Sequence, residues 1–301
     1  SPTLGPRPPT LNRSLCMPAK LLLAFSLCAV TLSQASACTL WGAAGGLAQG
    51  GTLMAKNRDW APDHRQYLKK VLPRQGLRYI GLYAEGNKDP GLKAGINEKG
   101  LAIVSASSNI PRKLRDSQSD MHGVMIALLT GYNSVDAVAA DASRVFSHSR
   151  ANFFMISDQR KVLSVEVGLE GRYTLKLTNN GPIAHTNHYL DPQLASIYNT
   201  RIGISSVVRF DRINTLLAQQ PAPITLDQFS VISRDHHDGP NNSLWRNGRE
   251  VTMASWLLAT PAAGAPRLRV VIANPGEPEI EQDLVLDKKF WQQVGAMHSA
   301  R

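Results

Sequence analysis

Ala35-Ser36-Ala37-Cys38-Thr39-Leu40-Trp41-Gly42 and, after a Gly-rich passage, Met54-Ala55-Lys56-Asn57-Arg58-Asp59-Trp60 form the stretch on which the reading of this chain turns. Its first part has the small-residue pattern that ends a removable export signal. Its second part then begins with a cysteine, which cleavage before Cys38 turns into a first residue. Such a residue carries a thiol and a free α-amino group together, a nucleophile with its own base attached.

The residues upstream fit that reading. Met17-Pro18-Ala19-Lys20 is a short basic n-region, and Leu21 to Leu32 is an apolar run. The run is too short to cross a bilayer as a helix and has the length of a signal h-region. Residues 1–16 are Pro-rich, lack acids and show no apolar period, so they read as a non-native or disordered leader. The expected organisation is therefore a leader at 1–16, a signal peptide at 17–37 and a single domain at 38–301. That domain is long enough to bury a large core. Its expected location is periplasmic or secreted, with no stable membrane span.

Formal net charge is +10 over 301 residues. Arg7 and Arg13 of the leader and Lys20 of the signal peptide are unopposed by acids, yet the remainder stays basic. The basic residues are scattered rather than clustered, and no nucleic-acid motif is present, so nucleic acid is not an expected partner. Of three cysteines, Cys16 lies in the leader and Cys28 in the expected signal peptide. Cys38 is then the odd thiol of an exported chain, either reactive or modified.

Downstream, Gly51 to Trp60 and Leu77 to Tyr83 read as strands. Lys93 to Ser107 reads as a hairpin turning at Asn97-Glu98-Lys99-Gly100, where Asn and Gly supply positive φ. Met121 to Leu129 is long and apolar enough for a buried helix, and Ser134 caps a second over Val135 to Val145. Strands are expected at Asn152–Ser157, Val162–Val167, Arg172–Leu177 and Ile183–Asn187. Helices follow at Ser205–Ala218 and from Thr225. Two strands, Val251–Leu258 and Leu268–Ala273, are expected to close the domain. Strands, then helices, then strands argue for an α+β layered fold.

Four segments in order carry a family resemblance: Cys38-Thr39 with Lys56 to Trp60, Gly95 to Leu101, Thr186-Asn187-His188, and Asp235-His236 through Ser243-Leu244-Trp245-Arg246. Together they resemble the linear-amide C–N hydrolases of the N-terminal-nucleophile (Ntn) superfamily, which include the choloylglycine hydrolases and penicillin V acylases. Thr186-Asn187-His188 is most similar to the acyl-coenzyme A:6-aminopenicillanic acid acyltransferase branch. The resemblance implies a four-layer αββα sandwich of the Ntn-hydrolase type.

It also implies roles. Cys38 attacks an amide carbonyl while its own α-amine, titrating near 8, takes the thiol proton directly or through water. Asp59 holds the α-ammonium or the thiol, Asn187 donates to the oxyanion, and Arg246 sits near the cysteine and steadies the negative charges. Many relatives carry an arginine where this chain has Lys56, which keeps the charge without the planar fork. Ser107, Ser108 and Asn109 occupy the place after the hairpin where an oxyanion-site asparagine is common. Lys56, Ser107 and Asn109 are thus candidate substrate contacts.

Each residue also has a plainer reading. Cys38 fits a lipobox, although lipoboxes usually carry leucine where Ala35 stands. Asp59 fits a turn or salt bridge, Asn187 an Asx turn before Asp191-Pro192, and Arg246 a surface arginine. Asp235-His236-His237-Asp238 lies in a loop without the spacing of a metal site, so capping or turn formation is expected there. The expected function is an exported cysteine amidohydrolase that cleaves a linear, non-peptide amide of a small N-acyl compound through a thioester, with no metal or organic cofactor. Acyl transfer on the same site, and a lipid-anchored, non-catalytic binding protein, are the alternatives. Signal peptidase or self-cleavage exposes Cys38.

Overall fold

The computed structural model describes residues 37–86, 89–117 and 123–293, with 2, 3 and 5. The expected leader and signal peptide lie outside the described residues, apart from Pro2, Thr3, Gly5 and Ala37. Residues 34–301 make one compact unit, separate from 1–33. Among the described residues, no helix is long and apolar enough to cross a membrane.

The strands are β1 (Thr39–Ala44), β2 (Thr52–Trp60), β3 (Arg65–Val71), β4 (Tyr79–Glu85), β5 (Gly91–Asn97), β6 (Ala102–Ala106), β7 (Asn152–Ser157), β8 (Val162–Val167), β9 (Tyr173–Thr178), β10 (Gly181–His185), β11 (Val251–Thr260), β12 (Arg267–Ile272) and β13 (Ile280–Val285). The helices are α1 (Arg112–Asp116), α2 (Val124–Gly131), α3 (Val135–Ala140), α4 (Ala142–Phe146), α5 (Pro192–Tyr198), α6 (Ile204–Gln219), α7 (Leu226–Ser233), α8 (Gly239–Asn242) and α9 (Lys288–Gln292). One sheet runs β10-β1-β2-β11-β12-β13 and the other β3-β4-β5-β6-β7-β8-β9, with every pairing antiparallel.

Three cores define four layers. Leu40, Met54 and Trp256 of the first sheet meet Ile80, Val104 and Phe153 of the second in the central core. On the outer face of the first sheet, Trp41 and Leu257 pack on Ile213 and Leu217 of α6 and Phe229 of α7. On the outer face of the second, Ile103, Ile156 and Val165 pack on Leu128, Val138 and Phe146 of α2 to α4. The period of two along each strand separates these faces. Burying each large apolar side chain contributes roughly 1.5–3 kcal/mol before entropy is charged. The result is the αββα sandwich.

The sequence pattern places most elements correctly, and the exceptions have local causes. The helix expected over Val135 to Val145 breaks at Asp141, whose φ of −108° is not helical and whose N–H reaches back to Val138. The first sheet does not close on two strands: β13 adds an edge strand to β12, and α9 follows. α5 starts at the Asp191-Pro192 step, where Asp191 accepts from the N–H groups of Gln193 and Leu194. Proline in the first turn is preorganised for a helix start.

The β5–β6 hairpin is fastened by Asn97. Its Oδ1 accepts from the N–H groups of Lys99 and Leu101, both at 3.0 Å. Its Nδ2 donates to the carbonyls of Leu129 (2.9 Å) and Tyr132 (2.7 Å), at the end of α2. Gly100 supplies the positive φ, at +86°.

Candidate active site

Cys38 directly precedes β1 and is buried at 1 % exposure. The register sets Leu40 opposite Lys56 and Thr39 opposite Asn57 on β2. Alternation along β2 then divides Lys56 to Asp59 between two faces. Lys56 and Arg58 project between the sheets, as Leu40 and Met54 do. Asn57 points to the helices, where its Nδ2 donates to the carbonyls of Ser233 (2.9 Å) and Leu244 (2.8 Å). Thus two cations, a tether to α7 and a carboxylate come from four consecutive residues.

Cys38, Lys56 and Arg58 share a cavity of about 430 Å³. Arg58 Nη1 donates to Cys38 Sγ at 3.9 Å, and the Arg58 guanidinium lies 4.6 Å from the centre of the Trp60 ring. Lys56 Nζ donates to the carbonyl of Ser105. Burial pushes the Lys56 pKa down, Arg58 adds to the fall, and Cys38 opposes it. Lys93, Arg112 and Arg150 also line the cavity, with Asp89 the one carboxylate among the described lining residues. Another wall is apolar and includes Leu92, Val124, Met125 and Phe154. A larger cleft of about 790 Å³, bordered by the Asn97–Gly100 turn and Asp287, contains none of the candidate residues.

Asp59 is fully buried at the end of β2. Its Oδ1 accepts from Thr252 Oγ1 at 2.7 Å, while Oδ2 is buried without a hydrogen-bond partner among the described residues. Burial raises its pKa to about 7; Arg246 and Arg209 pull it down and Cys38 pushes it up. Arg246 acts on Asp59 partly through Thr252, whose hydroxyl accepts from the Arg246 N–H at 2.7 Å. The Arg246 guanidinium pairs with Glu250 and does not line the Cys38 cavity.

Asn187 follows β10. Its Nδ2 donates to the carbonyl of Ser107 at 2.8 Å, and its Oδ1 accepts from Arg209 Nη2 at 2.8 Å. Its N–H donates to Ser206 Oγ at 2.8 Å, so Thr186-Asn187-His188 is stitched to the first turn of α6. His188 contacts the same hydroxyl at 2.8 Å, and burial lowers its pKa to about 4, so it is neutral at pH 7. The carboxylate of Glu166 contacts His185 at 2.8 Å and accepts from the N–H groups of Leu190 (2.7 Å) and Asp191 (3.1 Å), holding this loop from the other side.

Of the candidate substrate contacts, Lys56 and Ser107 line the cavity and Asn109 does not. The Asn109 amide is turned instead to Tyr198 O and Asn199 Oδ1, both at 3.2 Å, because α5 packs across it. Asp235 forms an ion pair with Arg212 at 2.6 Å and accepts from the His237 N–H, a turn arrangement.

Arg209 was not singled out by the sequence reading, yet it joins the centre together. Its Nη1 donates to the Cys38 carbonyl (2.8 Å) and Thr39 Oγ1 (2.9 Å), while Nη2 takes Asn187. Burial brings its pKa down to about 10, with Asp59 opposing. A signal existed. Ser206, Arg209, Ile213 and Leu217 are the buried residues of α6, at helical spacing, and an arginine on that stripe requires a partner.

A family model described as acyl-coenzyme A:6-aminopenicillanic acid acyl-transferase matches residues 47–277. Among solved structures, a mutant of the conjugated bile acid hydrolase from Clostridium perfringens is similar at a TM-score of 0.54 and 14 % identity, over 87 % of this chain and 97 % of that one. A second variant of the same hydrolase gives 0.54 and 14 %, over 86 % and 96 %. The Caenorhabditis elegans ortholog of N-acylethanolamine-hydrolyzing acid amidase gives 0.53 and 10 %, over 75 % and 94 %. At these identities the likeness shows the shared Ntn-hydrolase fold. No curated protein matches the sequence.

Proposed function

Because the chain belongs to the acyl-coenzyme A:6-aminopenicillanic acid acyl-transferase family, we propose that it is an exported amidohydrolase whose nucleophile is Cys38, freed as the first residue by cleavage after Ala37. The observation that carries this reading is the setting of Cys38: the start of β1, the cavity, and Arg58 Nη1 at 3.9 Å from Sγ. Before cleavage its nitrogen is tied in a peptide bond to Ala37, so the α-amine exists only in the processed chain.

In the proposed cycle the thiol proton passes to the α-amine, directly or through water, and Sγ attacks the amide carbonyl carbon. The oxyanion accepts from Asn187 Nδ2, which exchanges the Ser107 carbonyl for it, with a backbone N–H as second donor. One such donor lowers the barrier by about 3–4 kcal/mol. The ammonium returns its proton to the departing amine nitrogen, leaving a thioester on Cys38. Water, deprotonated by the same amine, attacks the thioester, releases the acid and restores the thiol.

Asp59 orients the α-ammonium. Its buried Oδ2 lacks a partner among the described residues, and a new cation is the kind of group that site favours. Arg246 supports Asp59 from behind. Lys56 and Ser107 contact substrate.

The test is hydrolysis of a panel of N-acyl amides by the wild type and Cys38→Ala, with intact mass recorded after acid quench. The reading expects turnover by the wild type alone and an acyl adduct on Cys38. Equal activity of Cys38→Ala contradicts it. Adding hydroxylamine or a free amine separates acyl transfer from hydrolysis, since both draw on the same thioester.

A further inference from the structure

The carboxyl group of Asp59 has one hydrogen bond among the described residues, and Thr252 supplies it. Thr252 Oγ1 donates to Asp59 Oδ1 at 2.7 Å, while Oδ2 has no partner among those residues. Both side chains are shut off from solvent, Asp59 completely and Thr252 at 3 % exposure.

An irregularity in β11 puts the hydroxyl there. Ala254, Trp256 and Leu258 face the central core, and Leu257 faces the helices. Unbroken alternation would carry Thr252 to the central face with Ala254. The ladder with β2 skips a residue instead. Thr252 lies opposite Asp59 and Ala254 opposite Arg58, so Met253 is extra. A bulge of this kind re-aims a side chain. Here it turns Thr252 to the face that Asp59 occupies. The Met253 carbonyl accepts from the Ala273 N–H at 2.8 Å, which ties the bulge to the residue after β12.

The direction of the hydroxyl is fixed as well. The Arg246 N–H donates to Thr252 Oγ1 at 2.7 Å, and the Thr252 N–H donates back to the Arg246 carbonyl at 2.9 Å. An oxygen that accepts from Arg246 turns its own hydrogen to Asp59. Such a bond favours the ionised carboxyl. Arg246 and Arg209 favour it too, while burial and Cys38 oppose it. Asp59 in turn acts on Lys56 of its own strand, and the Arg246 guanidinium is shared with Glu250.

We infer that Thr252 is a positioning residue that takes Asp59 Oδ1 and so leaves Oδ2, ionised, for the α-ammonium of the processed Cys38. The inference rests on the amidohydrolase reading above and names the group that aims its carboxylate.

The test compares the wild type with Thr252→Val, which keeps the shape and loses the hydroxyl, and Thr252→Ser, which keeps the hydroxyl. Thr252→Ala repeats the loss with a smaller side chain. In the uncleaved chain, urea midpoints are read from pH 4.5 to 9. A carboxyl with a raised pKa stabilises fully below its unfolded pKa and loses that contribution as pH climbs through the folded one. Removing the hydroxyl raises the folded pKa further. The fall in stability should therefore run about one pH unit or more further up the scale in Thr252→Val and Thr252→Ala, and Thr252→Ser should follow the wild type. The shift should vanish when Asp59→Asn is added. A midpoint lowered equally at every pH is what lost packing alone gives, and it overturns the inference.

In the processed enzyme, on the N-acyl amide that the wild type cleaves fastest, Thr252→Val should lower kcat by roughly tenfold with little change in KM. The acid limb of its pH profile should move to higher pH, and Thr252→Ser should restore both. Unchanged kcat and an unchanged acid limb overturn the inference and leave the hydrolase reading standing. If the wild type cleaves no amide, that reading falls, and the pH shift in the uncleaved chain still confirms or refutes the hold of Thr252 on Asp59.

Discussion

Arg209 Nη2 donates to Asn187 Oδ1 at 2.8 Å, and this one bond decides which way the asparagine amide points. With Oδ1 taken by a cation that can only donate, the NH2 group must face the other way, towards the Ser107 carbonyl. The other arm of the guanidinium holds the Cys38 carbonyl. Arg209 therefore ties the proposed nucleophile to the proposed oxyanion donor without touching substrate.

Arg209→Met should lower kcat on an N-acyl amide by about a hundredfold with a smaller change in KM, since a freed Asn187 amide loses its orientation. It should also cost about 3 kcal/mol of stability, because three buried acceptors lose their donor. Arg209→Lys, which keeps the charge without the fork, should recover part of the stability and less of kcat. Steady-state kinetics and urea unfolding read both. An unaltered kcat in a well-folded Arg209→Met would refute the positioning role.

Asn187→Ala should lower kcat by about a hundred- to a thousandfold, the worth of one oxyanion donor. Alkylation of Cys38 should continue at a similar rate, since the thiol keeps Arg58 and Lys56 beside it. Loss of alkylation together with turnover would mean that Asn187 serves the cysteine's environment instead.

Asp59 makes stability depend on pH in a direction unusual for a carboxylate. Its pKa is raised in the folded, uncleaved chain to about 7, against about 4 when unfolded. Between those values the folded state binds more protons. Stability is therefore full below pH 4 for this group and falls as pH rises to 7, by a few kcal/mol. Asp59→Asn in the uncleaved chain should flatten this slope, and a freed α-ammonium at Cys38 should reverse part of it. Urea midpoints at pH 4.5 and 7 measure the effect. An equal slope in Asp59→Asn would assign it to another group.

Asn97→Ala removes two hydrogen bonds within the β5–β6 turn and two that join it to the end of α2. Stability should drop by about 2–4 kcal/mol, because two carbonyls and two N–H groups lose their partner at once. The kcat of the remaining folded protein should change little. A loss of kcat larger than the loss of folded protein would give this hairpin a role beyond the scaffold.

The layers were legible because each strand's period of two and each helix's buried stripe are local signals. Trp41 and Leu257 against Leu40 and Trp256 are such a case, with neighbours sent to opposite cores. β13 escaped because it is a polar edge strand, Ile280-Glu281-Gln282-Asp283-Leu284-Val285, with only one face to bury. Within the candidate site, Cys38, Lys56 and Asp59 stood out because they are near in sequence. Arg209 lies 171 residues from Cys38, and only the packing of α6 on β1 and β10 brings it there. Arg58 was read as part of a segment, but that it faces the cavity and Asp59 faces the helices follows from the register of β2. Asn109 carried the right chemistry at the right spacing, and α5 claimed it.

The most direct test of the central claim is the intact mass and N-terminal sequence of the exported protein, with and without a thiol-directed alkylator. The account predicts a chain that begins at Cys38, carries a free α-amine and takes one alkyl group, with none taken by Cys38→Ala. A chain that starts elsewhere, or a Cys38 bearing lipid acyl groups, would contradict it, because no α-amine would then stand beside the thiol.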